Sequence, residues 1–169
     1  DRVAAYMPNI PETIVACLAT LSIGAVWSVC APDMGTAAVL DRFSQITPKV
    51  LIAVDGVHYG GKPLDRCEVV QALCAGLPTV EHLLLLETPY AHQVAIKTGA
   101  AYASFIRASS RNDAQTAAFA PEWLPFDHPI WIVYSSGTTG LPKPIVHGHG
   151  GIIMTLLALV LATGIVVDD

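Results

Sequence analysis

Charge of either sign is scarce in this 169-residue chain: Asp, Glu, Lys and Arg make up 14% of it, nine basic and fourteen acidic. A formal net charge of −5, with no Lys/Arg cluster anywhere, excludes a basic nucleic-acid surface. Cysteine is also sparse. Cys17, Cys30, Cys67 and Cys74 form no Cys-x-x-Cys pair, so they read as reduced, mostly buried thiols and not as a disulfide frame or zinc site. No secretory signal precedes them, which points to a cytoplasmic protein. Internal repeats and low-complexity tracts are absent, and the length suits one domain or part of one. There is no initiator methionine and the first residues read as a strand, so the chain is expected to begin inside a longer protein.

Two long stretches lack charge altogether. Thr13–Pro32 divides into a helix and a strand: Pro11 and Glu12 suit a first helical turn, Ile14, Cys17, Leu18 and Leu21 make one face, and Gly24 stops the helix. Ile152–Val167 is almost wholly apolar. At the helical rise it is about 24 Å long, short of a ~30 Å hydrocarbon core. A buried helix or a divergent chain end is the expectation there, with a membrane segment as the alternative.

The rest alternates. Strands are expected at Val3–Met7, Ala25–Cys30, Val50–Val54, Val80–Leu86 and Ile130–Tyr134, and helices at Pro11–Ile23, Ala37–Ile46 and Asp65–Ala75. In the second helix Val39, Leu40, Phe43 and Ile46 line one face and Thr36 can cap the start. The strands are apolar without polar alternation, which predicts burial on both faces and hence an α/β fold with a mostly parallel sheet flanked by helices. Four segments follow: an alternating β/α portion over 1–108, a polar, Pro-containing loop or linker over 109–128, a strand–loop–strand unit over 129–151, and the apolar helix over 152–167.

The strand–loop–strand unit carries the chemistry. After the apolar Pro129–Tyr134 comes Ser-Ser-Gly-Thr-Thr-Gly-Leu-Pro-Lys, Ser135–Lys143. Gly137 and Gly140 allow positive φ and close approach of backbone to a ligand. Ser135, Ser136, Thr138 and Thr139 add four hydroxyls, successive loop N–H groups can form an anion-binding concavity, and Lys143 supplies a mobile positive charge. Polyphosphate is the expected ligand; the alternative is a Gly/Ser/Thr hairpin connection with an incidental lysine. A Walker A loop is excluded, because Pro142 and Pro144 flank the lysine and no Ser/Thr follows it. Those prolines favour extended backbone, so Ile145–His147 is expected to return as a strand.

Tyr134–Lys143 followed by Ile145-Val146-His147 resembles the phosphate-loop signature of the adenylate-forming enzymes, the acyl-CoA synthetase and luciferase superfamily. Pro144–Gly151, Arg2–Gly35 and Leu40–Lys62 narrow the resemblance to the acetoacetyl-CoA synthetase family, with acetyl- and propionyl-CoA synthetases as near relatives. It covers nearly the whole chain to about residue 152. The resemblance implies part of the large N-terminal domain of the adenylate-forming fold, with the small C-terminal domain absent and the piece inactive alone. It implies two half-reactions: acetoacetate attacks the α-phosphorus of ATP to give an acyl-adenylate and pyrophosphate, then the thiol of CoA displaces AMP. The loop, with Gly137, Thr138, Thr139, Gly140 and Lys143, would hold the departing phosphates, and Mg²⁺ would bridge their oxygens from a carboxylate outside this chain. The main catalytic lysine of the family is also outside it.

CoA is the next partner the resemblance implies. Arg42, His58 and Lys62 match positions near its phosphorylated nucleotide end, although the family usually has Arg where this chain has His58. The plain alternatives are a solvated helix charge for Arg42 and an exposed loop lysine for Lys62. His147 and His149 form His-x-His on the expected return strand, both pointing to one face, with His128 also available. A metal pair is conceivable; the resemblance explains them without metal, as neighbours of the site. Asp33 reads as a turn or cap residue. Three functions therefore compete: an acetoacetate–CoA ligase, an acetyl- or propionyl-CoA synthetase, and a non-catalytic nucleotide-binding or membrane-associated piece.

Overall fold

The computed structural model describes residues 1–92, 96–110, 114–135 and 140–164. The first elements alternate as expected: β1 (Arg2–Tyr6), α1 (Pro11–Ser22), β2 (Val26–Cys30), α2 (Thr36–Phe43) and β3 (Val50–Val54). A hairpin, β4 (Gly56–Tyr59) and β5 (Lys62–Asp65), precedes α3 (Cys67–Gly76) and β6 (His82–Leu86). Then come β7 (Ala101–Ser104), α4 (Phe105–Ser109), α5 (Ala114–Ala117), β8 (Pro129–Tyr134), β9 (Pro144–Gly148) and α6 (His149–Thr163).

Seven strands form one sheet in the order β7-β6-β3-β1-β2-β8-β9, parallel throughout except for the closing β8–β9 pair. The side-chain period of two puts alternate residues of each strand into two cores. Ala4 and Tyr6 of β1 join Val39 and Phe43 of α2 and Val70 and Leu73 of α3 on one face. Val3 and Ala5 join Ala16 of α1 and Phe105 of α4 on the other. β2 and β3 lie on opposite sides of β1. Chain order thus reverses beside β1, and the carboxyl ends of the strands open onto the crevice where ligands of such sheets bind.

Helix α1 corrects the expected face. Pro11 does occupy its first turn, but the buried residues are Thr13, Ala16 and Thr20. Cys17 and Leu21 pack beside them, whereas Ile14 and Leu18 are exposed. The helix is apolar on several sides, so periodicity leaves its rotation open. Small residues settle it by letting the backbone approach the sheet, with the Thr20 hydroxyl donating to Ala16 O at 2.8 Å inside the helix. Gly24 ends it at φ +71°. Gly24 N–H reaches Leu21 O at 3.0 Å and Ala25 N–H reaches Thr20 O at 3.1 Å, a Schellman closure.

Other boundaries move for local reasons. Thr36 does not cap α2; Gly35 stands at the cap without a side-chain bond and Thr36 is the first helical residue. Val39 and Phe43 of α2 are buried as expected, with Leu40 packed against them, but the helix ends at Phe43 and the buried Ile46 lies in the turn beyond it. Asp65 ends β5 instead of opening α3, and its carboxylate accepts the Cys67 and His92 N–H groups at 2.8 Å each. Partial burial pushes that carboxyl up, but these bonds and the His92 ring outweigh it and hold the group well below the usual range. Inside the expected loop, α5 is a single turn, too short to leave a periodic signal. The apolar helix starts earlier than expected, at His149, and among its described residues only Gly150 is buried. Leu156, Leu159 and Leu161 stand in the open, so burial of this helix is not what the chain alone provides. Residues 165–167 of the expected helix lie outside the described residues. No described helix is long and apolar enough to cross a membrane.

Candidate functional site

The carboxyl end of β8 delivers the hydroxyl- and glycine-rich loop, and β9 takes the chain back antiparallel, with Tyr134 opposite Pro144. Ser135 N–H donates to Lys143 O at 3.1 Å, and Lys143 N–H approaches Ser135 Oγ at 3.4 Å. Entry and exit are thus tied to each other. Gly140 has φ +101°, a backbone conformation that residues with a Cβ rarely adopt, so glycine is strongly favoured there. Lys143 is exposed at the exit. Ser136, Gly137, Thr138 and Thr139 lie outside the described residues.

Two tyrosines hold the floor. Tyr134 Oη donates to Arg42 O on α2 at 2.9 Å, and burial pushes its phenol up. Tyr6, fully buried at the end of β1, donates to Pro32 O at 2.7 Å and reaches Met34 O at 3.0 Å. That phenol fixes the turn between β2 and α2, in which Asp33 sits exposed as the expected turn residue. Burial raises the Tyr6 phenol to about 12, with Asp33 and Cys30 adding and Arg66 opposing. A raised folded value means that this contribution is fully present below the unfolded value near 10 and is lost as pH climbs from there towards 12. Tyr6→Phe leaves the buried Pro32 carbonyl without its donor and is expected to cost about 1–3 kcal/mol. Urea titrations of both proteins at pH 8 and pH 11 check this: the gap should narrow at the higher pH, and an equal gap at both would assign the loss to packing alone.

The CoA candidates are divided between two places. Arg42 lies on α2 beside the loop, its Nη1 bonded to Ala38 O at 2.6 Å and its guanidinium carbon 5.8 Å from the Tyr134 ring centre. It is half-buried, not a freely solvated charge. His58 and Lys62 are exposed on the β4–β5 hairpin, and the His58 ring lies 5.8 Å from that of Tyr90. The hairpin turns on Gly60 at φ +57° and Gly61 at φ +79°, the two left-handed residues of a type I′ turn. It leaves the sheet from β3, three strand positions from β8, roughly 14 Å at the usual strand spacing.

The two histidines do not share a strand face. Gly148 turns the chain, so His147 stays exposed on β9 while His149 becomes the first residue of α6. His149 instead neighbours His128, ring centres 6.1 Å apart, and His128 Nε2 lies 3.0 Å from Gly24 O. Among the described residues no group of three or more His, Cys, Asp or Glu side chains could hold a metal ion. Cys17, Cys30 and Cys74 are free thiols, and Cys30 and Cys67 are buried. Tyr6 escaped the reading of the sequence, although a tyrosine inside an apolar strand signals a buried hydroxyl in need of a partner.

Known proteins are similar to this chain in sequence and fold. Acetoacetyl-coenzyme A synthetase of Rhizobium meliloti (strain 1021) is 47% identical over 161 residues, covering 91% of this chain and 23% of that protein. Acetoacetyl-CoA synthetase of Xenopus tropicalis is 42% identical over 156 residues, covering 89% and 23%. The solved acetoacetyl-CoA synthetase from Streptomyces lividans superposes with a TM-score of 0.85 at 42% identity, covering 100% of this chain and 25% of that one. The chain therefore spans about a quarter of the relatives it matches. A family profile described as "AMP-binding enzyme" matches residues 1–168, and with loop, sheet and sequence in agreement the chain belongs to the AMP-binding enzyme family.

Proposed function

We propose that this chain is the phosphate-loop portion of an ATP-dependent acid–CoA ligase that activates acetoacetate. The carrying observation is the loop at the carboxyl edge of a parallel sheet, its ends joined by the Ser135–Lys143 pair and its lysine exposed. The names of its relatives support acetoacetate as the acid. In the first half-reaction a carboxylate oxygen forms a bond to the α-phosphorus of ATP, and the bond to the β-phosphate oxygen breaks. Lys143 offsets the charge that collects on the departing pyrophosphate; Ser135 and Gly140, with Ser136, Gly137, Thr138 and Thr139 of the expected loop, supply donors to its oxygens. Such a step is driven by positioning and charge stabilisation. In the second, the CoA sulfur bonds to the acyl carbon, the acyl–phosphate bond breaks, and AMP departs with the electron pair.

Arg42, Lys62 and His58 are proposed contacts for the phosphorylated nucleotide end of CoA. Arg42 suits a phosphate because its guanidinium is planar and permanently charged. His147, opposite Trp131, and His149, beside His128, stand towards the end of β8 away from the loop and are given no role. The described residues offer no ligand cluster for magnesium, so Mg²⁺ is assigned to the nucleotide substrate and no step is routed through it. A cytoplasmic location goes with these soluble substrates. Acetoacetate-dependent exchange of labelled pyrophosphate into ATP by the full-length protein tests the reading. Exchange that needs acetoacetate but not CoA is expected; exchange that needs no acid, or none at all, would overturn it.

A further inference from the structure

We propose that Gln45 is a positioning residue for the phosphate loop, and that the end of α2 is the brace against which the loop is held. The inference rests on the phosphate-loop reading above. Gln45 Nε2 donates to Pro142 O at 2.8 Å, across 97 residues of sequence, and to Asp41 O of α2, the helix that Gln45 follows by two residues, at 2.6 Å. A side-chain amide has two N–H donors, so both are committed. The same residue's backbone N–H donates to Arg42 O at 3.2 Å, the carbonyl that also accepts Tyr134 Oη at 2.9 Å. Loop entry and loop exit are therefore linked through one residue: Tyr134 to Arg42 O, Arg42 O to Gln45 N–H, and Gln45 Nε2 to Pro142 O.

The chemistry of the exit explains why a side-chain donor is needed. Pro142 and Pro144 have no N–H, and the Lys143 N–H already faces Ser135 Oγ. The exit offers carbonyl oxygens instead: Lys143 O takes the Ser135 N–H and Pro142 O takes Gln45. A donor standing on a fixed element can orient the peptide just before Lys143, and α2 is fixed, since Val39 and Phe43 on its inner face are fully buried. Gln45 itself is exposed, touches no reacting group, and acts through the direction in which Lys143 leaves the loop.

The test compares Gln45→Met and Gln45→Glu, which keep the length but remove the donor, with Gln45→Lys, which retains an N–H donor able to reach a carbonyl. All are made in the full-length protein. The donor-less variants should lose roughly five- to tenfold in acetoacetate-dependent pyrophosphate exchange. Thioester formation from supplied acyl-adenylate and the melting temperature should stay at wild-type values, and Gln45→Lys should recover most of the exchange. Unchanged exchange in Met and Glu overturns the inference alone. So does an equal loss in both half-reactions together with a fall in melting temperature, because that pattern belongs to a merely structural contact. Absence of exchange in the wild type overturns the ligase reading and this inference with it.

Discussion

Lys143→Ala in the full-length protein is expected to slow adenylation roughly 30–150-fold and to leave the thioester half-reaction almost untouched. Lys143 sits exposed at the loop exit, with its backbone pinned to Ser135. Pinning the backbone fixes where the side chain begins, while its four-carbon stem lets the ammonium follow a phosphate. Charge builds on pyrophosphate only while the acyl-adenylate forms. An interaction stronger in that transition state than in the bound substrate raises the rate, and one charge-assisted contact is worth about 2–3 kcal/mol. When adenylate is supplied, no pyrophosphate departs and the lysine has nothing to stabilise. Pyrophosphate exchange and single-turnover thioester formation would be measured side by side. Equal losses in both would remove Lys143 from the assigned role.

Phe43→Ala should be the more damaging change to the fold, at about 3–5 kcal/mol. Phe43 is fully buried and lies in the core that α2 shares with β1, β3 and α3. Truncation removes the ring's burial and leaves a cavity that the neighbouring Val39, Leu51 and Leu73, all fully buried, cannot readily fill. The consequence reaches the loop as well, because α2 carries the Arg42 carbonyl that holds Tyr134 and leads directly into Gln45, which holds Pro142. Urea unfolding should show a lower midpoint with an unchanged slope. A loss below about 1 kcal/mol would mean that α2 is not anchored as described.

What could be read in the sequence followed how local the determinants are. Apolar strands such as Val50–Val54 and Val3–Met7 announced themselves, because burial on both faces leaves little polar alternation to confuse with a helix. The return from β8 to β9 was legible for the opposite reason: Pro142 and Pro144 at fixed offsets favour extended backbone after the loop. Failures came where the decision is tertiary or very short. The rotation of α1 depends on how closely Ala16 meets the sheet, which a helix apolar at Ile14, Val15 and Leu18 does not encode in its own pattern. The β4–β5 hairpin was signalled by Tyr-Gly-Gly-Lys, a two-residue turn of the kind that closes hairpins, yet its strands are only four residues each. His147 and His149 parted because Gly148 ends a strand and begins a helix within two residues. Gln45 left no mark at all, since its partner Pro142 is distant in the chain and a glutamine on an exposed helix end looks like any other.

The most direct test of the account is the specificity of the full-length protein for its acid, with CoA and ATP present and AMP as the measured product. Acetoacetate carries a second carbonyl that a site can hydrogen-bond, and a site built around that bond rejects acids lacking it, because its own polar partner is left unpaired. AMP and pyrophosphate formation is expected with kcat/KM for acetoacetate well above that for acetate, propionate or butyrate. A protein that uses acetate as well as acetoacetate, or that releases no AMP with any of these acids, would contradict it.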